Sequence, residues 1–495
     1  MKISSRPLLL GLLLAVGAVA AIGVAAQLAD QVFKGGESGA LSPLELDEER
    51  SLPTLFSSGL LAVAALLLGL TAWVRRRVGG PDVLPWALLG IVVSALALDE
   101  QLAMHETLIA PLREILGADG LLHFTWIVPG SIVAAGLAVV FMRFAPRLHP
   151  SVRRLLTVAI VLFFAGAIGV EALGGLYAST QGSEEGLTYA LITAFEETLE
   201  MLGSVTFVYG VIVNLALHRP PVRLGFSPPP VGGSARLDVT VEPSRVFGLL
   251  IGLALLLAAI SLVAQLADVL VLHGRLDAAT SRLDVATKRS VPTFVAALLF
   301  LAVGAIAAIM GLFSRRQRQP YWAHWLALGV LFCALAADET LEGHEVLTAP
   351  VRELLGLGGG VLEYAWVIPG SLGVLVLGLV YARFLSQLPS RTWRLLAGAA
   401  AVFLAGALGV ELLGGWWASA NGKGNVVYVL LTSVEELLEL SGLVVLVYGL
   451  LSHIREHMPD LTLQAVPDPV HERAPAASEV TRSDYRPDAT GLRHP

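Results

Sequence analysis

Long apolar runs separated by short polar connections make up most of this 495-residue chain. A helix rises about 1.5 Å per residue, so roughly 20 apolar residues are needed to cross the hydrocarbon core of a bilayer. In the first half, such runs lie near residues 8–28, 55–75, 84–106, 122–142, 152–177 and 187–213. In the second half, they lie near residues 246–267, 293–313, 322–345, 362–382, 393–417 and 427–452. The pattern predicts twelve transmembrane helices.

Composition supports this prediction. Hydrophobic residues make up 55% of the chain, charged residues only 15%, and the mean hydropathy is +0.72. A soluble domain carries about 25% charged residues. The predicted fold class is therefore an all-α polytopic membrane protein with the lipid bilayer as a partner. The net charge of −7 and basic residues confined to helix ends argue against nucleic-acid binding, and the lone Cys333 excludes an internal disulfide.

The two halves of the chain repeat each other at an offset of 238 to 240 residues. The matching pairs are SLPT (51–54) with SVPT (290–293), HETLIAPLREILG (105–117) with HEVLTAPVRELLG (344–356), WIVPGS (126–131) with WVIPGS (366–371), and GVEALGG (169–175) with GVELLGG (409–415). Since each repeat holds an even number of runs, we expect two parallel six-helix repeats. The predicted units are a first repeat at 1–216, a cytoplasmic linker at 217–244, a second repeat at 245–458 and a disordered cytoplasmic tail at 459–495. The linker is rich in Pro and Gly, which predicts irregular structure there as well.

The first apolar run follows Lys2 and Arg6, as a cleavable secretory signal would. However, its closing residues, AQLAD at 26–30, return at 264–268 in the middle of the chain. We therefore interpret the run as a retained helix. Basic clusters such as Arg75–Arg77 and Arg315–Arg316 fall in the connections on the N-terminal side of the membrane. This bias predicts a multi-pass protein of a bacterial-type inner membrane with both termini in the cytoplasm.

Acidic residues and a histidine nevertheless recur in or beside these apolar runs. The stretch LDEQLAMHE (98–106) ends the third run, and ADETLEGHE (337–345) ends its counterpart. Further acids stand in GVE of the fifth run and in EE-x-x-E of the sixth. The candidate site residues are Asp99, Glu100, His105, Glu106, Glu171, Glu196, Glu197 and Glu200, and in the second half Asp338, Glu339, His344, Glu345, Glu411, Glu435, Glu436 and Glu439. A charge at the membrane centre costs roughly 2.5–3.5 kcal/mol on insertion scales, so these residues indicate functional sites.

So many carboxylates in one apolar layer need a compensating positive charge. Carboxylates with one imidazole suit a divalent metal, with Mn²⁺ or Fe²⁺ favoured and Zn²⁺ less so, for transport or for metal-dependent membrane chemistry. Shared protons could also supply this positive charge, and Arg113 and Arg352 could instead pair with the acids.

Two other functions fit the same residues. One is a proton-coupled secondary transporter of an organic substrate, because six plus six parallel helices joined by a linker resemble the layout of major facilitator transporters. The loop signature of that family between the second and third helices is absent from RRRVGGPD (75–82). The other is a non-catalytic membrane scaffold. We expect the tryptophans Trp126, Trp366, Trp416 and Trp417 to be interfacial anchors.

Overall fold

The computed structural model describes residues 2–33, 41–46, 48, 51–182, 186–227, 237–272, 290–358 and 360–466. Within these ranges, twelve helical segments are long and apolar enough to cross a membrane. The chain is therefore an all-α, multi-pass membrane protein. The later part of the predicted tail, residues 467–495, lies outside the described residues.

Helices of the first half follow the predicted runs closely. They are α1 (Ser5–Phe33), α2 (Leu52–Arg77), α3 (Val83–Leu102), α4 (Ile109–Leu116), α5 (Ile127–Phe144), α6 (Pro150–Phe164), α7 (Glu171–Gln181) and α8 (Leu187–Ala216). A π-helical turn, Ala165–Val170, joins α6 to α7 into one span. The short α4 is too brief to cross the membrane and connects the third and fourth spans.

Helices of the second half follow in the same order. They are α9 (Pro243–Ala267), α10 (Val291–Arg316), α11 (Trp322–Leu341), α12 (Gly343–Val346), α13 (Thr348–Leu355), α14 (Val367–Ser386), α15 (Ser390–Leu404), α16 (Glu411–Asn421) and α17 (Val426–His457). A second π-helical turn, Ala405–Val410, joins α15 to α16.

Local sequence explains how the second span of each half begins. Ser51 caps α2 by accepting a hydrogen bond from the backbone N–H of Thr54 at 3.2 Å, and Pro follows within the first turn. Ser290 caps α10 in the same way, accepting from Thr293 at 3.3 Å. A cap satisfies one of the N–H groups that a helix start leaves without a partner. The repeated SLPT and SVPT segments are therefore helix-start signals.

Small residues let the helices pack tightly around the two cores. A Cβ added to Gly203 on α8 would lie 2.7 Å from the backbone nitrogen of Phe163 on α6, and one added to Gly442 on α17 would lie 2.7 Å from that of Phe403 on α15. The fifth and sixth spans of each half thus meet backbone to backbone. The halves also touch one another, because Leu55 of α2 packs with Ala296 of α10 in one buried cluster.

Three segments that are far apart in the chain together form a four-stranded sheet. Its strands are β1 (Lys2–Ser4), β2 (Val222–Gly225), β3 (Leu237–Thr240) and β4 (Thr462–Val466), in the order β1-β4-β2-β3. β4 runs parallel to β1 and antiparallel to β2. An open sheet cannot cross the hydrocarbon region, so the N-terminus, the linker and the start of the tail lie on one side of the membrane.

The structure corrects three predictions. The third span ends at Leu102 and not near Glu106, because Ala103 adopts a left-handed φ of 47°. The linker is not irregular throughout, since β2 and β3 lie within it. The predicted disordered tail likewise begins with a strand, β4, which pairs with the linker and the N-terminus.

Candidate functional site

All eight candidate residues of the first half line one cavity of about 630 Å³. These residues are Asp99, Glu100, His105, Glu106, Glu171, Glu196, Glu197 and Glu200. They come from α3, the turn after it, α7 and α8. The prediction that acids of the third, fifth and sixth spans converge therefore matches the geometry of this half.

A break at the end of α3 folds His105 back onto Asp99. With Ala103 in the left-handed region, the backbone N–H of His105 donates to Asp99 Oδ1 at 2.8 Å, and its ring Nδ1 lies 3.0 Å from Asp99 Oδ2. In the second half Glu342, with a φ of 52°, makes the same break. There His344 contacts Asp338 at 2.9 Å and 2.8 Å. A regular helix could not aim these groups together, and the break removes that obstacle.

A tryptophan connects this histidine to the acid of the fifth span. The indole N–H of Trp126 donates to Glu171 Oε1 at 2.8 Å, and its ring lies 4.7 Å from that of His105. Trp366 donates to Glu411 at 3.1 Å and lies 4.6 Å from His344. Trp126 and Trp366 were predicted to be interfacial anchors, but both are hydrogen-bonded parts of the site.

Two carboxyl groups meet at the centre of each half. Those of Glu171 and Glu196 lie within hydrogen-bonding reach of one another, as do those of Glu411 and Glu435. A carboxylate has no hydrogen to donate, so two carboxyls can form such a bond only when one of them carries a proton. Each half therefore holds an acid pair placed to share a proton.

Glu200 lies one helical turn further along α8. Its residue is 9% exposed, compared with 8% for Glu196, and it makes no hydrogen bond to any described residue. The side chain of Glu200 fits against the π-helical turn because residue 166 is a glycine. A Cβ at Gly166 would lie 2.9 Å from Glu200 Cγ. Gly406 packs against Glu439 in the same way, at 3.0 Å.

The other candidate residues surround these groups. Glu100 lies close to Asp99 and His105, and Glu339 lies close to Asp338 and His344. Glu106 and Glu345 are exposed at the outer ends of their motifs. Glu197 and Glu436 stand beside Glu200 and Glu439 on their helices.

Neither arginine of the repeated APLRE and APVRE segments compensates the clustered acids. Arg113 donates to the backbone carbonyl of His123 at 2.6 Å. Arg352 lies 3.4 Å from Glu363, which is not one of the candidate residues. Among the residues that the structure describes, the cavity lining contains no lysine or arginine. In a purely structural cluster these two arginines would pair with the clustered acids. Their observed partners are other groups.

The two histidines lie outside the spans, and this excess of negative charge affects the pKa of both. Burial opposes protonation of His105, but its hydrogen bond to Asp99 and the charges of Asp99 and Glu171 outweigh it and raise the pKa of the imidazole. The pKa of His344 is raised for the same reasons, with Asp338 as its partner.

Metal ligation was the first interpretation of these residues. In the parts of the chain that the structure describes, no three or more His, Cys, Asp or Glu side chains are grouped as ligands of one metal ion. The cavity is instead wide, with acids spread along its wall. Such a site can exchange protons and can surround a ligand larger than a bare ion.

A model of the family described as Domain of unknown function (DUF8692) matches residues 8–215 and 249–454. The matched residues amount to well over half of the chain. The chain belongs to the DUF8692 family. No curated protein and no solved structure matches it. The DUF8692 match includes all sixteen candidate residues, both π-helical turns and both bonded tryptophans.

Two features of this DUF8692 chain escaped the sequence-based prediction. The first is the role of Trp126 and Trp366, each four residues before a glycine, Gly130 or Gly370, that leaves room for the indole. The spacing W-x-x-x-G was visible in the repeated WIVPGS and WVIPGS segments. The second is the π-helical turn before Glu171 and Glu411, for which the AGAIGV and AGALGV segments offer only small residues as a signal.

Proposed function

We propose that this DUF8692 protein exchanges protons for a cation in the membrane, with its acid-lined cavity as the binding site. The observation that carries the proposal is the acid pair Glu171–Glu196 at the wall of that cavity, placed to share a proton and repeated as Glu411–Glu435. A shared proton stabilises two neighbouring acids while no ligand is bound. An arriving cation takes over that role, so the proton is released as the cation binds.

The charge balance of the site supports exchange over simple binding. Among the described residues, the lining carries eight carboxyl groups and one imidazole, without lysine or arginine. A site of this kind cannot hold all its acids ionised in a membrane, so its occupants must be protons or external cations. The scaffold alternative is less well supported, because Arg113 and Arg352 bond elsewhere.

The proposal includes a topology of two parallel six-helix repeats. The repeated segments support it, and so does the sheet, because six candidate spans separate β1 from β2 and six separate β3 from β4. With the basic connections on the side of the sheet, both termini lie in the cytoplasm of a bacterial-type inner membrane. The cavity then opens toward the outer side, since the third span ends there.

A divalent metal is the second candidate for the cation, with Mn²⁺ or Fe²⁺ favoured and Zn²⁺ possible by ligand chemistry. The observation in its favour is that eight carboxyl groups and one imidazole line one cavity. Because the acids are spread out, the ion would retain part of its water shell, as hard cations often do.

The test uses the full chain in liposomes that contain a pH-sensitive dye. Gradients of Mn²⁺, Zn²⁺ and benzyltrimethylammonium are imposed in turn, and at least one should drive protons in the opposite direction. The double variant Glu196→Gln, Glu435→Gln should abolish this movement, because Gln keeps the shape of Glu but cannot ionise.

Glu114→Gln is the matched control. Glu114 is exposed on α4 outside the cavity, so proton movement should persist in this variant. The proposal fails if none of the three cations moves protons through the wild-type protein, or if the double variant moves them as well as the wild type does.

A further inference from the structure

The first-half cavity is much larger than a metal ion requires. A divalent ion with about six waters occupies roughly 200 Å³ at ~30 Å³ per molecule. The cavity provides about 630 Å³, which falls in the range of sites for small organic molecules, roughly 300–1,000 Å³. Its size therefore points to an occupant with a carbon skeleton.

Apolar side chains complete the wall of the cavity between the acids. They come from three spans and include Leu96 of α3, Val133 of α5, and Phe163 and Phe164 of α6. A hydrated metal ion gains nothing from such surface, whereas an alkyl or aryl group is stabilised by leaving water for it. The indole of Trp126 adds a ring face on which a cationic group can rest.

Glu200 supplies the negative charge that a bound cation would contact. It is about nine-tenths buried, lines the cavity and makes no hydrogen bond to a described residue. Glu197, Glu100 and Asp99 stand near enough to add their negative charge. A cation seated beside Glu200 would be attracted by this concentration of negative charge.

The second half differs at the corresponding place. The difference lies in the aromatic residues beside the acids. Position 364 is a tyrosine whose hydroxyl lies 3.0 Å from that of Tyr428, and the first half has Phe124 there. This difference favours the first-half cavity as the place where an apolar cation binds.

We propose that the first-half cavity binds an organic ammonium ion that carries an apolar group, with Glu200 as its main charged partner. This inference deepens the proposed cation–proton exchange and rests on it. The ammonium group lies beside Glu200 and takes the place of the proton shared by the Glu171–Glu196 pair, and the apolar group lies against Val133, Phe163 and Phe164.

The probe for the experiment is benzyltrimethylammonium, because its charge is permanent and the probe itself cannot release a proton. Calorimetry on the full chain in detergent should show saturable binding at one site. Benzyl alcohol, an uncharged aromatic control, should not bind there. Glu200→Gln should weaken binding of the probe by at least about tenfold, the effect of one charge-assisted contact. Glu114→Gln should leave binding unchanged.

Val133→Trp is a second variant in case Glu200→Gln does not fold. Val133 is 46% exposed, so a larger side chain there can fill the cavity without disturbing a core. This variant should lose binding of the probe although every carboxyl group remains.

Three outcomes would overturn the inference: no saturable binding of the probe, equal binding of benzyl alcohol, or full binding to both folded variants. If Mn²⁺ still drives proton movement in liposomes when the probe does not bind, the inference fails and the proposed exchange stands. If no cation moves protons, the proposed exchange itself fails.

Discussion

Trp126 donates to Glu171 over 2.8 Å in the first half, and Trp366 donates to Glu411 over 3.1 Å in the second. The histidine–aspartate contact and the acid pair are likewise present in both halves. The surroundings of these contacts differ between the two halves. In the first half a phenylalanine, Phe124, lines the cavity, whereas the second half has a tyrosine there, Tyr364, whose hydroxyl contacts that of Tyr428.

This difference separates two roles of the residues. The parts that hold a proton, the acid pair and its tryptophan donor, are the same in both halves. The aromatic residues that decide what else fits, Phe124 in the first half and Tyr364 in the second, have diverged. We expect both halves to handle protons alike and to differ in the ligand that each accepts.

The largest effect is expected where the halves are most alike, at the contact between the fifth and sixth spans. Gly203→Val and Gly442→Val would each force a side chain against backbone atoms 2.7 Å away. Overpacking of this kind costs about 1–3 kcal/mol or more, because backbone cannot move aside as a flexible side chain can. Titration with a denaturing detergent should show a similar loss of unfolding free energy for both variants.

The controls for this prediction are Gly136→Val and Gly378→Val, on α5 and α14. A Cβ at either position meets no atom within 4 Å, so stability should change little. A large loss for one of the two tight glycines and none for the other would mean that the halves do not share this packing.

The next effect concerns the tryptophan donors. Trp126→Phe and Trp366→Phe keep an aromatic ring and remove the N–H that Glu171 or Glu411 accepts from. Loss of a hydrogen bond to a buried acid costs about 1–3 kcal/mol, and the shorter bond in the first half predicts the larger loss there. The same detergent titration measures both.

Trp416→Phe is the comparison for this pair, because the Trp416 side chain is 51% exposed. Its stability should stay close to that of the wild type. If Trp126→Phe behaved like Trp416→Phe, the indole of Trp126 would be an anchor after all.

Much of this architecture was predictable because a membrane imposes simple rules on a sequence. Apolar runs of spanning length located the twelve helices, and charges within those runs located the acids of the site. The third span ends at Leu102, closer to Asp99 than predicted, so equal depth does not explain why Asp99 converges with Glu171 and Glu196.

What escaped prediction depends on backbone conformations without a clear residue signature. Ala103 and Glu342 adopt left-handed φ values that glycine normally favours, so the early end of α3 and α11 had no signal. The π-helical turns are similar in this respect. The sheet was missed because each strand has at most five residues, and its partners come from three segments far apart in the chain.

A smaller effect separates the two halves at their aromatic walls. In a double-mutant cycle of Tyr364→Phe and Tyr428→Phe, the two hydroxyls, 3.0 Å apart, should show a coupling of about 0.5–1.5 kcal/mol. The first half cannot show this coupling, because Phe124 has no hydroxyl. Additive effects in the cycle would mean that the tyrosine pair does not distinguish the halves.

The smallest effect concerns a contact that the second half lacks. Asp119 accepts a hydrogen bond from the backbone of Gly120 and another from His123 at 3.2 Å, and these lower the pKa of its carboxyl. At the corresponding place the second half has Gly358. A lowered pKa stabilises the fold at pH values above the ordinary pKa of aspartate, and this contribution disappears as the pH falls through the lowered value.

Asp119→Asn should therefore reduce the thermal midpoint slightly at pH 7, and the difference from wild type should vanish in strong acid. Glu114→Gln, which removes an exposed carboxyl group of α4, should cause no change at pH 7. A difference between Asp119→Asn and wild type that is the same at both pH values would show that the charge of Asp119 contributes nothing.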